Sequence, residues 1–442
     1  MSIKKLFPRV AGFWLFAFLV VHHPLIHAAA FGNFVVAAAL NAGSFPGAVI
    51  AADVNGDGKM DLICANSGDN TLTVLTNNGS GVFMLASSPG AGSGPLSVTS
   101  ADVNSDGKMD LISANYNDGT LTVLTNKGGG VFGLASTWAV GINPRSVTSA
   151  DVNSDGRPDL ICANYFTNTL TVLTNNGSGN FGLSATLTVG SNPFSVTAAD
   201  VNGDGKVDLI TANFSANTLT VLTNNGSGIF VLASSPGVGN GPQCVIAADV
   251  NGDGKMDLVT ANYAANTLTV LTNNGSGIFV LASSPGVGSG PQCVIAAEVN
   301  GDSKIDLISA NALSSSLTVL TNMGSGIFAL SSVTAVGSGP QSVAAADVNG
   351  DGRLDLISAN FYANTLTVLT NGPVLQPLLF AKRGRNSVTV FWPDLAGWSL
   401  QTNGNLATPN WAVRNGATLV SGTNYLNVTN LTVNLFFRLK NP

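Results

Sequence analysis

Carboxylate and amide side chains recur in one short loop that the chain repeats seven times. In the first copy, oxygen-bearing side chains stand at loop positions 1, 3, 5 and 9, as Asp53, Asn55, Asp57 and Asp61. A glycine at position 6 permits a sharp turn, so that the carbonyl of Lys59 at position 7 can face inward. Calcium prefers six to eight oxygen ligands, whereas magnesium takes few protein ligands in a strict octahedron. The loop therefore predicts a calcium site.

The other six loops follow at intervals of 49 residues, and seven copies predict up to seven calcium ions. In the sixth copy, Glu298 replaces the aspartate at position 1 and Ser303 replaces the glycine at position 6, so we expect that site to be weak or empty. The predicted ligands, at positions 1, 3, 5, 7 and 9 of each loop, are Asp53, Asn55, Asp57, Lys59, Asp61, Asp102, Asn104, Asp106, Lys108, Asp110, Asp151, Asn153, Asp155, Arg157, Asp159, Asp200, Asn202, Asp204, Lys206, Asp208, Asp249, Asn251, Asp253, Lys255, Asp257, Glu298, Asn300, Asp302, Lys304, Asp306, Asp347, Asn349, Asp351, Arg353 and Asp355.

The distribution of charge favours bound cations over ordinary turns. From residue 31 to residue 372 there are 23 acidic residues, of which 21 stand at loop positions 1, 5 and 9 and only Asp69 and Asp118 lie elsewhere. With nine Lys and Arg, the segment carries 9 − 23 = −14, and seven divalent ions would supply +14. Asp and Asn also serve turns, but carboxylates held close together repel each other unless a cation neutralises them. We expect structural ions, because no loop contains a base that could use bound water.

Two motifs place these loops in a known family. An EF-hand needs an acidic residue at position 12 and a following helix, whereas position 12 here is Cys, Ser or Thr and a strand-like run follows. The pattern resembles the calcium hairpin of FG-GAP and VCBS repeats, and the family's Phe-Gly pair stands at 132–133 and 181–182. The resemblance covers residues 31–372. It implies a seven-bladed β-propeller like the N-terminal head of integrin α subunits, with calcium in its loops.

Each 49-residue copy contains four short strand-like runs, for example 195–199, 208–213, 218–223 and a run starting at 229. Four short strands separated by Asn-Gly turns are typical of a propeller blade. A solenoid is the alternative, but a stack would need distinct capping repeats. The fold class predicted is therefore all-β, a seven-bladed propeller over residues 31–372.

The two ends of the repeat region predict a closed ring. The seventh copy stops at residues 370–372, before its fourth strand, and residues 32–34 stand 49 residues before the start of the first fourth strand at 81–83. We therefore expect residues 32 to about 40 to complete the last blade. This arrangement would leave no blade unfinished.

Residues 1–30 have the pattern of a secretory signal peptide. A basic start is followed by an apolar run from 10 to 21 and three alanines at 28–30. An uncleaved anchor is the alternative, although the run is short for a membrane span. We predict a secreted or cell-surface protein with no integral membrane span after cleavage. An acidic, exported chain does not favour nucleic acid as a partner.

The composition of the exported part argues against most enzymes. All three histidines lie within residues 1–30, which removes the commonest general base, and we predict no catalytic residues. A polysaccharide lyase or hydrolase remains an alternative. Lys127, Arg145 and tyrosines such as Tyr116, Tyr165 and Tyr263 could serve a lyase, but nothing in the sequence marks them as a set.

The four cysteines stand where other copies have Ser, Thr or Ala, so we interpret them as small buried fillers. Cys244 and Cys293 hold the same place in adjacent copies, which leaves a disulfide between them open. The others are Cys64 and Cys162.

Residues 373–442 differ from the repeats, with six Lys and Arg against one acidic residue. Alternating runs at 387–392 and 431–436 predict a small β-sandwich-like domain. Its Trp392, Trp398 and Trp411 could stack on sugars, but a small domain needs large apolar residues in its core, which is the interpretation we favour.

Three functions remain open from the sequence. The first is an extracellular binding or adhesion module for carbohydrate or protein, monomeric and with its ligand unidentified. The second is a structural surface protein without a discrete ligand, and the third is the lyase or hydrolase. A specific site should break the repeat, and the irregular residues are Trp138, Ile142, Arg145 and Phe194.

Overall fold

The computed structural model describes residues 33–372 and, beyond them, residues 380–383, 387–393, 399–403, 412–413, 415, 417–420, 423–429 and 436–440. The predicted signal peptide lies outside the described residues. Within the described residues every regular element is a β-strand. No helix among them is long and apolar enough to cross a membrane.

Residues 33–372 form seven four-stranded antiparallel sheets, one for each 49-residue copy. The first strands of the sheets are Pro46–Ala52, Pro95–Ala101, Pro144–Ala150, Pro193–Ala199, Pro242–Ala248, Pro291–Ala297 and Pro340–Ala346. The second strands are Asp61–Asn66, Asp110–Asn115, Asp159–Asn164, Asp208–Asn213, Asp257–Asn262, Asp306–Asn311 and Asp355–Asn360. The third strands are Thr71–Asn77, Thr120–Asn126, Thr169–Asn175, Thr218–Asn224, Thr267–Asn273, Ser316–Gly324 and Thr365–Gly372. The fourth strands are Asn33–Asn41, Phe83–Ser87, Phe132–Ala139, Phe181–Thr188, Phe230–Ser234, Phe279–Ser283 and Ile327–Ala335.

The first strands lie innermost, because each contacts the first strands of both neighbouring sheets and that of the first sheet contacts that of the seventh. A chain of contacts that returns to its start is a ring, so the predicted seven-bladed propeller is confirmed and a solenoid is excluded.

The N-terminal strand closes the ring as predicted. Asn33–Asn41 pairs antiparallel with Thr365–Gly372, and Phe34 stands opposite Asn371. The Phe34 side chain is buried in a cluster with Val299, Leu356 and Leu369. The seventh blade is therefore built from both ends of the repeat region.

The core lies between neighbouring blades. Leu121 and Val123 of the second blade pack against Leu160 and Leu173 of the third, and the other junctions repeat this contact. Every residue of the second strands is buried, because neighbouring blades cover both faces of the sheet. These strands accordingly lack the alternation of polar and apolar residues that an exposed strand shows.

The cysteines behave as small fillers rather than as cross-links. Cys64 and Cys162 are completely buried, and burial raises the pKa of both thiols. Cys244 and Cys293 are half-buried free thiols, and Sγ of Cys244 lies 3.6 Å from the carbonyl oxygen of Val294. The structure therefore contains no bridge between them.

The fourth strands form the outer edge of each blade and carry exposed apolar side chains, for example Met84 and Leu134. Each pairs with its third strand through a β-bulge. Bulges and short length are common protections for edge strands. Ring closure thus completes the seventh blade without removing these edges.

The C-terminal region contains two small antiparallel sheets. One comprises Phe380–Arg383, Ser387–Pro393, Thr423–Thr429 and Thr418–Val420, and the other comprises Ala412–Val413, Ser399–Asn403 and Phe436–Lys440. The predicted strand at 387–392 is confirmed. Of the predicted strand at 431–436, only its last residue is described, where a strand begins. Trp392 lies on a described strand, while Trp398 and Trp411 fall outside the described residues.

Candidate calcium loops and the opposite face

The two faces of the propeller carry different residues. On one face, here called the loop face, lie the seven acidic loops between first and second strands and the turns between third and fourth strands. On the other, here called the aromatic face, lie the turns between second and third strands and the segments that lead into each first strand. The antiparallel order of the strands separates these two sets of loops.

Each acidic loop is curled around its first residue. The Asp53 carboxylate accepts the backbone N–H groups of Gly56 at 2.7 Å, Asp57 at 3.2 Å and Gly58 at 2.8 Å. Asn55 Oδ1 accepts the N–H of Asp57 at 2.9 Å, and Asp57 Oδ1 accepts that of Lys59 at 3.0 Å. Loops four, five and seven show the same bonds. The side chains predicted as ligands therefore also fix the backbone.

The carboxylate at position 9 anchors the loop to the blade. Asp61 is completely buried, and its two oxygens accept the N–H groups of Asn77 at 2.8 Å and Val54 at 3.1 Å. Burial raises its pKa, and repulsion from Asp57 and Asp53 adds to the increase. All seven loops repeat this anchor. In the sixth loop, burial raises the pKa of the position-9 carboxyl, Asp306, to about 6.

The donor chemistry of the loops fits calcium, although the side chains are not arranged as a finished metal cage. Among the described residues, no group of three or more His, Cys, Asp or Glu side chains is placed to hold a metal. Asp57 Oδ2 instead lies 3.5 Å from Lys59 Nζ, an exposed ion pair. A carboxylate oxygen has two lone pairs and can accept an N–H while it ligates a cation. The residues that would hold the ion are those at positions 1, 3, 5 and 9 and the carbonyl at position 7, all oxygen donors that calcium prefers.

Three loops contain a serine in the left-handed backbone region that favours glycine. Ser303 has φ = 66° in the sixth loop, and Ser105 and Ser154 have φ = 62° at position 4 of the second and third loops. In the sixth loop Glu298 binds three backbone amides through Oε1 alone. The equivalent aspartates of the other six loops use their second oxygen for the amide at position 6. The sixth loop was the one expected to diverge, and the left-handed serines of the second and third loops are additional differences.

A ring of bulge residues surrounds the channel at the aromatic face. Every first strand has a β-bulge directly after its proline, and a bulge redirects the side chain it contains. Two neighbouring members are in contact, since Arg145 Cζ lies 3.7 Å from the centre of the Phe194 ring. Unlike the acidic loops, the ring is not repetitive. Its members, in blade order, are Gly47, Leu96, Arg145, Phe194, Gln243, Gln292 and Gln341.

Aromatic rings surround Arg145. Its guanidinium lies 5.5 Å from the ring centre of Tyr116 and 5.6 Å from that of Tyr165, besides its contact with Phe194. Phe194 in turn contacts Tyr165 at 6.2 Å and Phe214 at 6.0 Å between ring centres. Burial lowers the pKa of Arg145, and the hydroxyls of both tyrosines oppose that change. We call these five residues the Arg145 cluster.

The irregular residues noted in the sequence separate into two places. Arg145 and Phe194 come together, but Trp138 lies on an outer strand, where its ring packs against Phe181 at 6.1 Å. Trp138 therefore lies apart from Arg145 and Phe194, because a fourth strand lies at the rim of its blade. Ile142 is exposed in the segment before its first strand. The sequence named Tyr116 and Tyr165 only as candidates for a lyase and did not point to Phe214. All three directly follow the buried asparagine that ends a second strand, a position that the repeat alignment marks.

The loops and the blade pattern match one family model. The FG-GAP-like repeat model matches residues 53–113, 102–162, 151–211, 200–260, 249–309 and 298–358, which together run over more than half of the chain. The chain belongs to the FG-GAP-like repeat family. No curated protein matches this FG-GAP protein.

Solved structures similar to this FG-GAP propeller show the fold alone, since all are distant in sequence. BBS1N, solved in complex with ARL6DN, is 13% identical, with a TM-score of 0.57 over 77% of this chain and 97% of that chain. Virginiamycin B lyase from Staphylococcus aureus is 15% identical, with a TM-score of 0.54 over 76% and 99%. A putative 6-phosphogluconolactonase from Bacteroides fragilis is 15% identical, with a TM-score of 0.51 over 90% and 97%.

The FG-GAP propeller joins neighbouring blades through an asparagine that the sequence analysis did not single out. Asn126, at the end of a third strand, donates from Nδ2 to the carbonyl of Val54 in the previous blade at 2.9 Å and to that of Met109 in its own blade. Asn77 closes the ring in the same way, by donating to Val348 of the seventh blade. The other members are Asn175, Asn224, Asn273, Asn322 and Asn371.

We predict that Asn126→Ala lowers the free energy of unfolding by about 2–4 kcal/mol, because it leaves two carbonyl oxygens without their donor. Urea unfolding followed by circular dichroism measures the change. The control is Asn117→Ala, since Asn117 is exposed on the aromatic face and its side chain makes only a long hydrogen bond, to Ser93 Oγ at 3.4 Å. If both variants lose the same free energy of unfolding, the hydrogen bond between blades does not contribute specifically to stability.

Proposed function

We propose that this chain is an exported, calcium-stabilised propeller that acts outside the cell as a binding or adhesion module for carbohydrate or protein. The observation that carries the proposal is the contrast between the two faces. The acidic loops repeat with little change, whereas the ring around the channel on the aromatic face combines a guanidinium, a phenyl ring, an aliphatic side chain and three amides. A single site for one ligand is expected to break the symmetry of the blades in this way.

Calcium is proposed for the loops because of their donors and their charge. The position-9 carboxyls have raised pKa values in all seven loops, chiefly through burial and in part through the two nearby acids. A divalent cation would relieve that repulsion. Its role would be to hold the loop and the blade end together, which leaves the aromatic face free for a ligand.

Export is proposed from the pattern of residues 1–30 and supports a partner outside the cell. The surroundings offer carbohydrate and protein surfaces alike. BBS1N, whose fold is similar, was solved in complex with ARL6DN. By analogy of fold, the proposal therefore includes a protein ligand.

A polysaccharide lyase is the second candidate, because the structure brings together residues that the sequence did not mark as a set. Arg145 lies beside both Tyr116 and Tyr165, so a guanidinium for a sugar carboxylate and a phenol for proton transfer share one place. Lys127 is not part of it, since its Nζ donates to Thr125 on the loop face. A lyase would release a product with a new carbon–carbon double bond. Prolonged incubation with a uronate polymer and no rise in ultraviolet absorbance would contradict this candidate.

A hydrolase is less well supported by the propeller. The two carboxylates outside the loops each stabilise an equivalent segment in a different blade. Asp69 accepts the N–H of Ser44, and Asp118 accepts that of Ser93. Both therefore have a structural explanation, and nothing pairs them as acid and base.

The binding proposal is tested by retention of the chain on a panel of insoluble polysaccharides and extracellular matrix proteins, in calcium and again in chelator. We expect calcium-dependent retention on one class of surface. Bovine serum albumin immobilised on the same matrix serves as the blank. A folded protein that no surface retains in calcium would contradict the proposal and favour a structural surface protein without a discrete ligand.

A further inference from the structure

We propose that the Arg145 cluster and the neighbouring Gln243 form a binding site for a sugar that carries a carboxylate, that is, a uronic acid residue of a polysaccharide. This inference rests on the proposed function and names the ligand class of its binding face. It is drawn from a solitary positive charge, from the rings around it and from an unpartnered buried amide in the blade next to that of Phe194.

The charge of Arg145 has no counterpart in the propeller. Of the nine Lys and Arg from residue 31 to residue 372, seven stand at position 7 of the acidic loops and an eighth, Lys127, lies on the loop face. Arg145 is the cation that remains, and it forms no ion pair with the described residues. Buried charges in proteins are normally paired. A half-buried guanidinium that contacts aromatic rings and the Tyr116 hydroxyl, but no carboxylate among the described residues, is therefore ready to receive an anion.

Geometry favours a carboxylate as that anion. A guanidinium presents parallel N–H donors that match both oxygens of a carboxylate. Arg145 Cζ lies over the Phe194 ring, 3.7 Å from its centre, and this contact restrains the position of the guanidinium. The tyrosine hydroxyls of Tyr116 and Tyr165 provide further donors beside it.

Gln243 supplies the second, independent observation. It occupies the bulge position in the blade next to that of Phe194, is 8% exposed, and its Oε1 has no hydrogen-bond partner among the described residues. A buried amide oxygen without a donor is costly, so it marks a place where a donor from outside belongs. A sugar hydroxyl would satisfy it.

A uronic acid residue fits these features together better than an acidic peptide does. One rigid ring carries the carboxylate, several hydroxyl donors and an apolar face that can stack on an aromatic side chain. An acidic peptide supplies a carboxylate and backbone N–H donors, but it lacks a ring that combines the carboxylate with several hydroxyls and a face for stacking. The other bulge residues, Gln292 and Gln341, extend the ring with amides that suit further hydroxyls.

The test measures the affinity of the full chain for a soluble trisaccharide of galacturonic acid by isothermal titration calorimetry in calcium. The decisive variant is Arg145→Gln, which places at this bulge the residue that three other blades carry there, so the fold should accept it. We expect its affinity to fall by about tenfold to a hundredfold, as expected for loss of a hydrogen bond to a charged group. The matched control, Lys127→Gln, removes the same charge from the loop face and should bind as the wild type does.

The ligand has matched controls as well. The methyl ester of the same trisaccharide should bind the wild type as weakly as the acid binds Arg145→Gln. Equal affinity for acid and ester, or an unchanged affinity in Arg145→Gln, would overturn the proposal. Tighter binding of a tri-aspartate peptide than of the trisaccharide would overturn the choice of sugar. If the wild type is retained on the panel of surfaces but Arg145→Gln is retained equally, this inference fails while the binding function stands.

Discussion

Deletion of residues 31–42 should lower the melting temperature of the propeller by about 10 °C or more, because it removes the strand that closes the seventh blade. Phe34 is buried at the junction with the sixth blade, and truncating such a residue alone costs about 3–5 kcal/mol. For a protein larger than a small domain, each kcal/mol corresponds to about 2–4 °C. The deletion also exposes the edge of Thr365–Gly372, which should promote association.

Circular dichroism melting and size-exclusion chromatography measure the two effects of the deletion. Two substitutions in the same strand act as matched controls, because Phe34 is buried whereas Val35 is 56% exposed. Phe34→Ala should reproduce part of the loss in melting temperature and Val35→Ser should not. If the deleted chain melts at the wild-type temperature, the strand does not close the ring in solution.

Removal of calcium should also lower the melting temperature strongly if the loops bind calcium as proposed. A site that binds only the folded state adds about 1.4 kcal/mol when calcium is present at ten times its dissociation constant. Six such sites would add about 8 kcal/mol, so chelator should lower the melting temperature by more than about 10 °C. Added calcium should restore it, and magnesium should do so less well.

The loop variants make this calcium prediction specific. Asp106→Asn, in the second loop, should reduce the calcium-dependent shift in melting temperature. It should also lower the number of calcium ions bound per chain by one, as measured by calorimetric titration. Asp118→Asn is the matched control, since Asp118 is an exposed acid on the aromatic face. A melting curve that is the same in calcium and in chelator would contradict the metal assignment.

The strand order within each blade and the closure of the ring were predictable because the same pattern of strand-like runs occurs in seven copies. A period of 49 residues with four runs specifies a blade, and the missing fourth strand of the last copy can be located by counting back from Phe83 to Phe34. The asparagines that join the blades recur at the same period, yet an asparagine before a turn has an ordinary local explanation. Only the structure shows that Nδ2 of Asn126 reaches the previous blade.

The Arg145 cluster was only partly predictable, because its members come from three blades and from two kinds of position, the bulge of a first strand and the turn after a second strand. Arg145 and Phe194 are irregular in sequence, but their contact depends on equivalent bulges in adjacent first strands. Trp138 is equally irregular and lies at the rim. Sequence spacing cannot separate these cases, since a departure from the repeat does not reveal which side of the blade it occupies.

The most direct test of the account compares one variant on each face, Arg145→Gln on the aromatic face and Asp106→Asn on the loop face. For both, retention on the polysaccharide or protein surface selected by the panel is measured in calcium, below the melting temperature, together with the melting curve. The account predicts that Arg145→Gln loses retention with an unchanged melting temperature, and that Asp106→Asn melts earlier but is retained. The opposite result, in which the loop variant loses binding and the Arg145 variant keeps it, would place the binding site on the loop face and contradict the account.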